Sequence, residues 1–240
     1  MNPIITQAVG VLVEKNAITG EWAPFCTATR IGKNTILTAR HCYFTKEAKG
    51  RPSRVIFGTS FVTQDGPEMG FRIRGLTKVI EATNNEEHIK DQDDYLLLAA
   101  DFPEDYPYVN VSPLYPSKKQ LLLAVSLFIY AIQTNVVSKT NDHHKTVPPK
   151  PLAGMLRLSE SSACFVREVS DSCIFHGCQS QVGSSGAPLF LNDKNSLQLV
   201  GMHVSIPGGM GCGSSQREFL DNVGIIPKDL FSNSEVPAIR

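Results

Sequence analysis

The sequence lacks the features that mark several large classes of protein. It has no excess of either charge, because 23 Lys and Arg balance 23 Asp and Glu among its 240 residues. A neutral chain offers no general attraction for nucleic acid or for an anionic membrane surface, so we expect neither as a partner. The first residues show no basic segment followed by an apolar one, so no signal peptide is visible.

Long apolar runs and helical periodicity are also scarce. The longest apolar run, residues 121–132, has 12 residues and contains Ser126, so it is too short to span a bilayer and predicts a buried strand. Short apolar segments separated by turn residues predict an all-β chain, such as a sandwich or barrel. The predicted strands are residues 9–14, 35–39, 54–57, 77–81, 95–99, 121–131, 155–158, 163–169, 188–192 and 197–205.

Cys173, His176 and Cys178 lie close enough in sequence to make zinc an option for the cysteines, but the chain has no Cys-x-x-Cys pair to support a metal site. The chain has no motif that predicts any other metal or a cofactor. Its six cysteines form an even set that is compatible with three disulfides and an oxidising compartment. The alternative is a set of reduced, buried thiols, as in cytosolic proteins. The cysteines are Cys26, Cys42, Cys164, Cys173, Cys178 and Cys212.

A serine lies between glycines in residues 181–189, which read Gln-Val-Gly-Ser-Ser-Gly-Ala-Pro-Leu. The glycines allow a tight turn that presents the Ser185 hydroxyl and aims two backbone N–H groups at one point, as an oxyanion hole requires. Alone, the pattern is equally typical of a surface loop. A nucleophilic serine also needs an imidazole to take its proton and a carboxylate to orient that imidazole. His41 and Asp94, each beside an apolar segment, complete such a set in the order His, Asp, Ser.

Four segments together resemble the chymotrypsin-like serine proteases. Residues 38–42 read Thr-Ala-Arg-His-Cys, similar to Thr-Ala-Ala-His-Cys around the base of that family. Residues 94–98 read Asp-Tyr-Leu-Leu-Leu, similar to the family's Asp-Ile-Ala-Leu-Leu. Residues 183–189 resemble Gly-Asp-Ser-Gly-Gly-Pro-Leu around the family's nucleophile, and residues 199–205 resemble the strand that walls its substrate pocket.

The resemblance implies two antiparallel six-stranded β-barrels with the active site in the crevice between them. A connection near residues 113–119 predicts one barrel in residues 1–115, which carries the base and the carboxylate, and a second in residues 116–240, which carries the nucleophile and the pocket. Asp91 and Asp93 are alternatives to Asp94 as the carboxylate. Asp94 is preferred because the apolar strand follows it at once, as in the family.

The resemblance also implies a serine endopeptidase that hydrolyses peptide bonds through an acyl-enzyme. His41 would act as general base and then as general acid, Asp94 would orient it, and Ser185 would be the nucleophile. The backbone N–H groups of Gly183 and Ser185 would form the oxyanion hole. Ser184 stands where the zymogen-activated members carry Asp, and the chain does not begin with their Ile-Val-Gly-Gly type of sequence, so we expect no activation of that kind.

The family places a disulfide beside the base, which implies a Cys26–Cys42 bridge in this chain. A second family bridge lies beneath the substrate pocket. The resemblance implies that Cys178–Cys212 corresponds to this second bridge. Cys164–Cys173 is then the remaining pair, for which the family also has a corresponding bridge.

Specificity is indicated by three residues around the nucleophile. Gln179, not Asp, lies six residues before Ser185, so no carboxylate is evident to bind a Lys or Arg side chain. His203 lies in a Gly-Met-His segment that resembles the pocket strand of bacterial glutamyl endopeptidases and of picornavirus-type proteases, where the imidazole binds a Glu or Gln side chain. Ser180 would supply an assisting hydroxyl, because imidazole and hydroxyl groups both donate hydrogen bonds to carboxylate or amide oxygens.

The alternative for His203 is a structural histidine on a buried strand. The remaining histidines, His176 among them, have no context that assigns them a role.

We therefore expect a serine endopeptidase that prefers Glu or Gln before the cleaved bond and acts on polypeptides as a monomer. The disulfides indicate a secreted or extracytoplasmic protein. The alternative from another class is a catalytically silent member of the fold that only binds. A protease of the high-temperature-requirement type with chaperone activity is disfavoured, because it normally carries a separate peptide-binding domain.

Overall fold

The computed structural model describes residues 7–15, 18–20, 22–43, 59–65, 70–82, 94–111, 117–122, 127–132, 156–158, 164–170, 172–181, 183–193, 196–205, 212, 221–227 and 230. The strands in these residues are Val9–Lys15 (β1), Trp22–Gly32 (β2), Thr35–Ala39 (β3), Thr59–Asp65 (β4), Gly70–Ala82 (β5), Tyr95–Ala100 (β6), Leu127–Ile132 (β7), Leu156–Leu158 (β8), Val166–Ser170 (β9), Cys173–His176 (β10), Pro188–Asp193 (β11), Ser196–Ser205 (β12) and Asn222–Ile225 (β13). A 3-10 turn covers Arg40–Cys42, and a short helix, α1, covers Lys118–Leu122. None of the helices in this part of the chain has the length and apolar character needed to span a bilayer.

The first half forms a closed antiparallel barrel with the strand order β1-β2-β3-β6-β5-β4. Every residue of β3 and β6 is buried, because these two paired strands run through the barrel core as short apolar segments. Closing the sheet pairs the backbone of every strand with two neighbours and leaves no exposed edge. The barrel predicted for this half of the chain is therefore present.

The second half forms one antiparallel sheet with the order β8-β7-β11-β12-β13-β10-β9. The expected all-β architecture of two antiparallel units is confirmed, but this sheet has seven strands in the described residues where six were expected. Its two edge strands are β8, which pairs with β7 alone, and β9, which pairs with β10 alone. The barrel strands lie within residues 9–100 and the second sheet within residues 127–225, while the boundary at residue 115 stays a prediction.

Several strand predictions agree with the structure to within one residue, and the residues 35–39 coincide with β3. The strand predicted at residues 121–131 is wrong at its start, because Leu121 lies in α1 and β7 begins only at Leu127. Ser117 and Gln120 explain the helix, since each side chain hydrogen-bonds the backbone N–H of the other. The strand predicted at residues 54–57 lies outside the described residues.

Four observed strands were not predicted: β2, β4, β10 and β13. Strand β2 was missed because it contains Pro24 and Arg30 between its apolar residues. The Arg30 guanidinium is nevertheless fully buried, where it donates to the Gly32 and Tyr106 carbonyls and lies over the Phe102 ring. Polar interior contacts thus stabilise a strand that hydrophobic patterning does not reveal.

The disulfides include the predicted Cys26–Cys42 bridge. The other two predicted pairs are wrong, because the structure joins Cys164 to Cys178 and Cys173 to Cys212. The β9–β10 register is the reason. His176 pairs with Val166, so continuing this antiparallel ladder outward brings residues 164 and 178 together, whereas residue 173 lies at the far, turn end of the hairpin.

Candidate active site

His41 and Asp94 are brought together by the pairing of β3 with β6. Ala39 pairs with Tyr95, so the residues that follow β3 lie beside the residue that precedes β6. The His41 backbone N–H donates to Asp94 Oδ1 at 2.8 Å, and His41 Nδ1 lies 2.6 Å from Asp94 Oδ2. Because a carboxylate oxygen only accepts, Nδ1 carries the proton in this contact and Nε2 is left as the basic nitrogen. The alternatives Asp91 and Asp93 lie outside the described residues.

The His41–Asp94 pair has one buried and one accessible partner. The Asp94 side chain is 10% exposed and the His41 side chain 42% exposed. The carboxylate is therefore held in the protein while part of the imidazole reaches solvent. Such a geometry suits a group that must exchange protons with a substrate while its tautomer is held from behind.

The Cys26–Cys42 disulfide holds the turn that carries His41. A His41 ring nitrogen and the two sulfurs lie within 4.8 Å of one another, a spacing that would suit metal ligands. Because the sulfurs are joined to each other, neither is a free thiolate that could bind a metal. The cluster therefore serves to fasten the Arg40–Cys42 turn to β2.

Ser185 occupies a tight turn that two glycines make possible. Gly183 has φ 91° and Gly186 has φ 86°, in the left-handed region that favours glycine. The Ser184 N–H donates to the Gln181 carbonyl and the Ala187 N–H to the Ser184 carbonyl, each at 2.9 Å. Ser184 itself is fully buried, and its hydroxyl accepts from the Gln181 N–H at 2.9 Å.

The amides of this turn fall into two groups. Those of Ser184, Gly186 and Ala187 are used in backbone hydrogen bonds. Those of Gly183 and Ser185 donate to no group among the described residues. These are the two N–H groups that the sequence predicted for the oxyanion hole, and a hole of this kind requires unoccupied donors.

Thr27 on β2 links the turn to the first barrel. Its N–H donates to the Ser185 carbonyl at 2.9 Å, and its hydroxyl donates to the Gly183 carbonyl at 2.8 Å. Its own carbonyl accepts from the Thr38 hydroxyl at 2.8 Å. Thr27 adjoins Cys26, which is bridged to the residue after His41. The serine turn and the histidine turn are therefore fastened to adjacent residues of β2.

Strand β12 links the turn to the second sheet. The Gly186 N–H donates to the His203 carbonyl and the His203 N–H to the Ala187 carbonyl, both at 2.8 Å. His203 thus lies beside the serine turn through its backbone. Its side chain is buried and its residue is 1% exposed, whereas Ser180 is half-buried and Gln179 is exposed.

Both pocket candidates have partners that the sequence did not identify. His203 Nδ1 lies 3.3 Å from His176 Nε2, and the Ser180 hydroxyl lies 2.6 Å from Asn222 Oδ1. His176 and Asn222 are paired residues of β10 and β13. The only available signal for His176 was its position two residues before a cysteine in a short apolar segment, which predicts burial but no partner.

The two histidines are neutral at physiological pH. Burial lowers the pKa of His203 to about 3, and the nearby charge of His41 adds to the effect. Burial likewise lowers the pKa of His176 well below its ordinary value, with further contributions from His203 and Arg167. Removing an imidazolium from water disfavours the charged form, so the contact is between two uncharged rings.

Comparison with known proteins adds the family. A family model described as Trypsin matches residues 8–224. Among solved structures, the chain is similar to a thermostable serine protease, AL20, from an extremophilic microorganism, with a TM-score of 0.59 and 12% identity over 96% of this chain and 97% of that one. At this identity the likeness shows the fold alone. No curated protein matches the sequence.

Proposed function

This chain belongs to the trypsin family of serine proteases, and we propose that it is an endopeptidase whose catalytic residues are Ser185, His41 and Asp94. The observation that carries this assignment is the double hydrogen bond from His41 to Asp94, in a chain whose glycine turn presents Ser185 and is fastened to β2 at Thr27, next to the Cys26–Cys42 bridge. An imidazole that carries its proton on Nδ1 has Nε2 as its basic nitrogen, which is the atom that takes the proton of a serine hydroxyl.

The proposed reaction proceeds in two halves. Ser185 Oγ attacks the carbonyl carbon of the scissile peptide bond while His41 Nε2 takes its proton, and the Gly183 and Ser185 N–H groups stabilise the oxyanion. His41 then gives the proton to the leaving amine as the C–N bond breaks, which leaves an acyl-enzyme. Water, deprotonated by His41, then attacks the acyl carbonyl. His41 returns that proton to Ser185 Oγ as the ester bond breaks, which releases the new carboxyl end and regenerates the Ser185 hydroxyl.

We propose that the side chain before the cleaved bond is Glu or Gln. His203 and Ser180 support this, because both lie close to the serine turn and carry groups that hydrogen-bond an oxygen or an amide. Gln179 has an exposed side chain, which suits the rim of such a pocket.

The proposal is tested by exposing a mixed peptide library to the wild type and to Ser185→Ala. We expect cleavage after Glu or Gln by the wild type and a loss of at least about 10³-fold in the variant. A small organophosphorus reagent should label the wild type and leave the variant unlabelled. Absence of both cleavage and labelling in the wild type would indicate a catalytically silent member of the fold. Cleavage after Lys or Arg would exclude the proposed binding of Glu or Gln by His203 and Ser180.

We further propose that the protein works outside the reducing cytoplasm as a monomer, without nucleic acid or membrane. Three disulfides among the described residues support an oxidising compartment. Alkylation before and after reduction of the protein taken directly from its source tests the redox state, and light scattering during size-exclusion chromatography tests the oligomeric state. Thiols that alkylate without reduction, or a dimeric mass, would overturn the respective proposal.

A further inference from the structure

The two candidate pocket residues are anchored to one ladder of the second sheet. His176 on β10 pairs with Asn222 on β13. The His176 ring contacts the His203 ring, with centroids 5.3 Å apart, and the Asn222 side chain contacts Ser180. The contacts made by His176 and Asn222 therefore determine whether His203 and Ser180 can act toward a substrate as hydrogen-bond donors or as acceptors.

The Asn222 contacts determine the direction of the Ser180 hydroxyl. Asn222 Nδ2 lies 2.6 Å from the Cys178 carbonyl, and a carbonyl only accepts, so the amide nitrogen faces it. The amide oxygen, Oδ1, therefore faces Ser180 Oγ at 2.6 Å. Because Oδ1 only accepts, Ser180 donates its single proton to Asn222. Toward a substrate, Ser180 then presents lone pairs and acts as an acceptor.

The His176 environment determines the tautomer of His203. His176 Nδ1 is buried and has no hydrogen-bond partner among the described residues. A proton on that nitrogen would be a buried donor without an acceptor, which is the costlier arrangement. His176 therefore carries its proton on Nε2 and donates it to His203 Nδ1 across the 3.3 Å contact. His203 is left with its proton on Nε2, where it acts as a donor.

Strand β13 lies between the strands that carry the two histidines, and its residue beside His203 is a glycine. Gly224 on β13 pairs with His203 on one side and with Ile174 of β10 on the other. A Cβ at this position would lie 2.3 Å from Leu189 Cδ1, so no other residue fits there without rearrangement.

Toward a substrate side chain, the two candidate pocket residues therefore present one donor, His203 Nε2–H, and one acceptor, Ser180 Oγ. A carboxamide supplies the complementary acceptor and donor, whereas a carboxylate supplies only acceptors. We propose that the enzyme selects glutamine over glutamate before the cleaved bond, with His176 and Asn222 as positioning residues for His203 and Ser180. This inference rests on the proposed function and narrows its substrate class.

The first test is a set of peptides that differ only in the residue before the cleaved bond, which is Gln, Glu or the uncharged, similarly shaped Met. We expect kcat/KM for Gln to exceed that for Glu by about tenfold or more, since Glu leaves one buried polar group without a partner. Equal or faster cleavage of the Glu peptide at pH 7.5 would overturn the inference.

Asn222→Ala is the most informative variant. It releases the Ser180 hydroxyl, which can then rotate and donate to a carboxylate, so the Gln-to-Glu ratio of kcat/KM should fall by about tenfold through a gain for Glu. A merely structural role of Asn222 would lower both rates together and leave the ratio unchanged. Ser180→Ala removes the acceptor and should lower the ratio through a loss for Gln.

His176 is tested by two substitutions that differ in one property. His176→Phe removes the donor to His203, whereas His176→Gln keeps an amide N–H at about the same reach from the backbone. The Gln-to-Glu ratio should fall in the first variant and recover in the second. Ser117→Ala, at the exposed start of α1, is a control for the effects of preparing a variant protein, and it should keep the wild-type Gln-to-Glu ratio.

The outcomes separate this inference from the function on which it rests. If the wild type neither cleaves peptides nor reacts with the organophosphorus reagent, the proposed function fails and the inference falls with it. If it reacts and cleaves peptides without preferring Gln to Glu, only the inference fails. Should His176→Phe fail to fold, as judged by its thermal transition, the Asn222→Ala and Ser180→Ala ratios still decide the question.

Discussion

Single hydrogen bonds define the state of each candidate catalytic group. Asp94 receives both the backbone N–H and the Nδ1–H of His41, so the imidazole has one orientation and one tautomer. The Gly183 and Ser185 amides donate to no described group, while their neighbours do. The chemistry proposed for the site depends on these few protons and on which atom carries each of them.

Changing Asp94 to Asn tests the tautomer directly. The Asn amide can donate to His41 Nδ1, which moves the imidazole proton to Nε2 and prevents that nitrogen from accepting the serine proton. We expect kcat to fall by about 10⁴-fold, with little change in folding. The exposed Asp101→Asn is the control and should keep its activity. A loss below tenfold in Asp94→Asn would assign the orienting role to another carboxylate.

The buried histidine pair predicts sensitivity to acid. The folded-state pKa of His203 is about 3, below the ordinary 6.5, so between these values the unfolded chain binds a proton that the folded chain does not. Stability is therefore complete above about pH 6.5 and declines as the pH falls toward 3, by up to about 1.4 kcal/mol per pH unit for each such histidine. The depressed pKa of His176 acts in the same direction.

Urea unfolding from pH 7.5 to pH 4 measures this dependence. The double variant His176→Gln/His203→Gln has no imidazole to protonate at these positions, so its free energy of unfolding should depend less steeply on pH. An unchanged slope would show that other groups cause the acid sensitivity. Ser117→Ala serves again as the control with the wild-type slope.

At the scale of single elements, the serine turn depends most strongly on glycine. Gly186 combines φ 86° with a position where a Cβ would lie 2.0 Å from the Thr27 carbonyl oxygen. Gly20 has φ 70° but no atom within 4 Å of such a Cβ. The two positions share a backbone conformation and differ in the space around them.

Replacing each glycine by alanine separates strain from collision. Gly20→Ala should cost about 1 kcal/mol, which is the penalty for a side chain in the left-handed region. Gly186→Ala adds the collision with β2, so it should cost about 3 kcal/mol or more and slow labelling of Ser185. Urea unfolding and the labelling rate measure both effects. Equal costs for the two variants would show that the turn can move away from β2.

For the molecule as a whole, Thr27 is the residue through which the barrel supports the serine turn. Its hydroxyl donates to the Gly183 carbonyl. Thr29 lies two residues further along β2 and is equally buried, but its hydroxyl has no partner among the described residues. The two threonines are therefore equally buried on the same strand, and only the Thr27 hydroxyl forms a hydrogen bond to the second half of the protein among the described residues.

Thr27→Val should destabilise the protein by about 1–3 kcal/mol and reduce kcat, because the Gly183 carbonyl loses its partner beside the proposed oxyanion hole. Thr29→Val removes a hydroxyl that is not satisfied by the described residues, so it should be neutral or slightly stabilising. Urea unfolding and peptide cleavage distinguish them. Similar effects in the two variants would mean that the hydrogen bond to Gly183 does not couple the halves.

Part of this architecture follows from the sequence alone. Apolar segments of strand length predicted the all-β fold, because a strand that is buried in a sheet is a short run of neighbouring apolar residues. The segments around His41, Asp94 and Ser185 predicted the candidate triad in the same way, because each of these residues lies in a short motif of neighbouring residues. The Cys26–Cys42 bridge also followed, through the resemblance that those motifs carry.

Only the tertiary structure decided the features that depend on strand register. The β9–β10 pairing joins Cys164 to Cys178, and the β13 strand brings His176 to His203 and Asn222 to Ser180. These contacts form between side chains on different strands, and their spacing along the chain does not reveal which residues will face each other. The motifs therefore predicted which residues would carry the chemistry, whereas the register of the second sheet decided which hydrogen-bonding groups the proposed pocket would present.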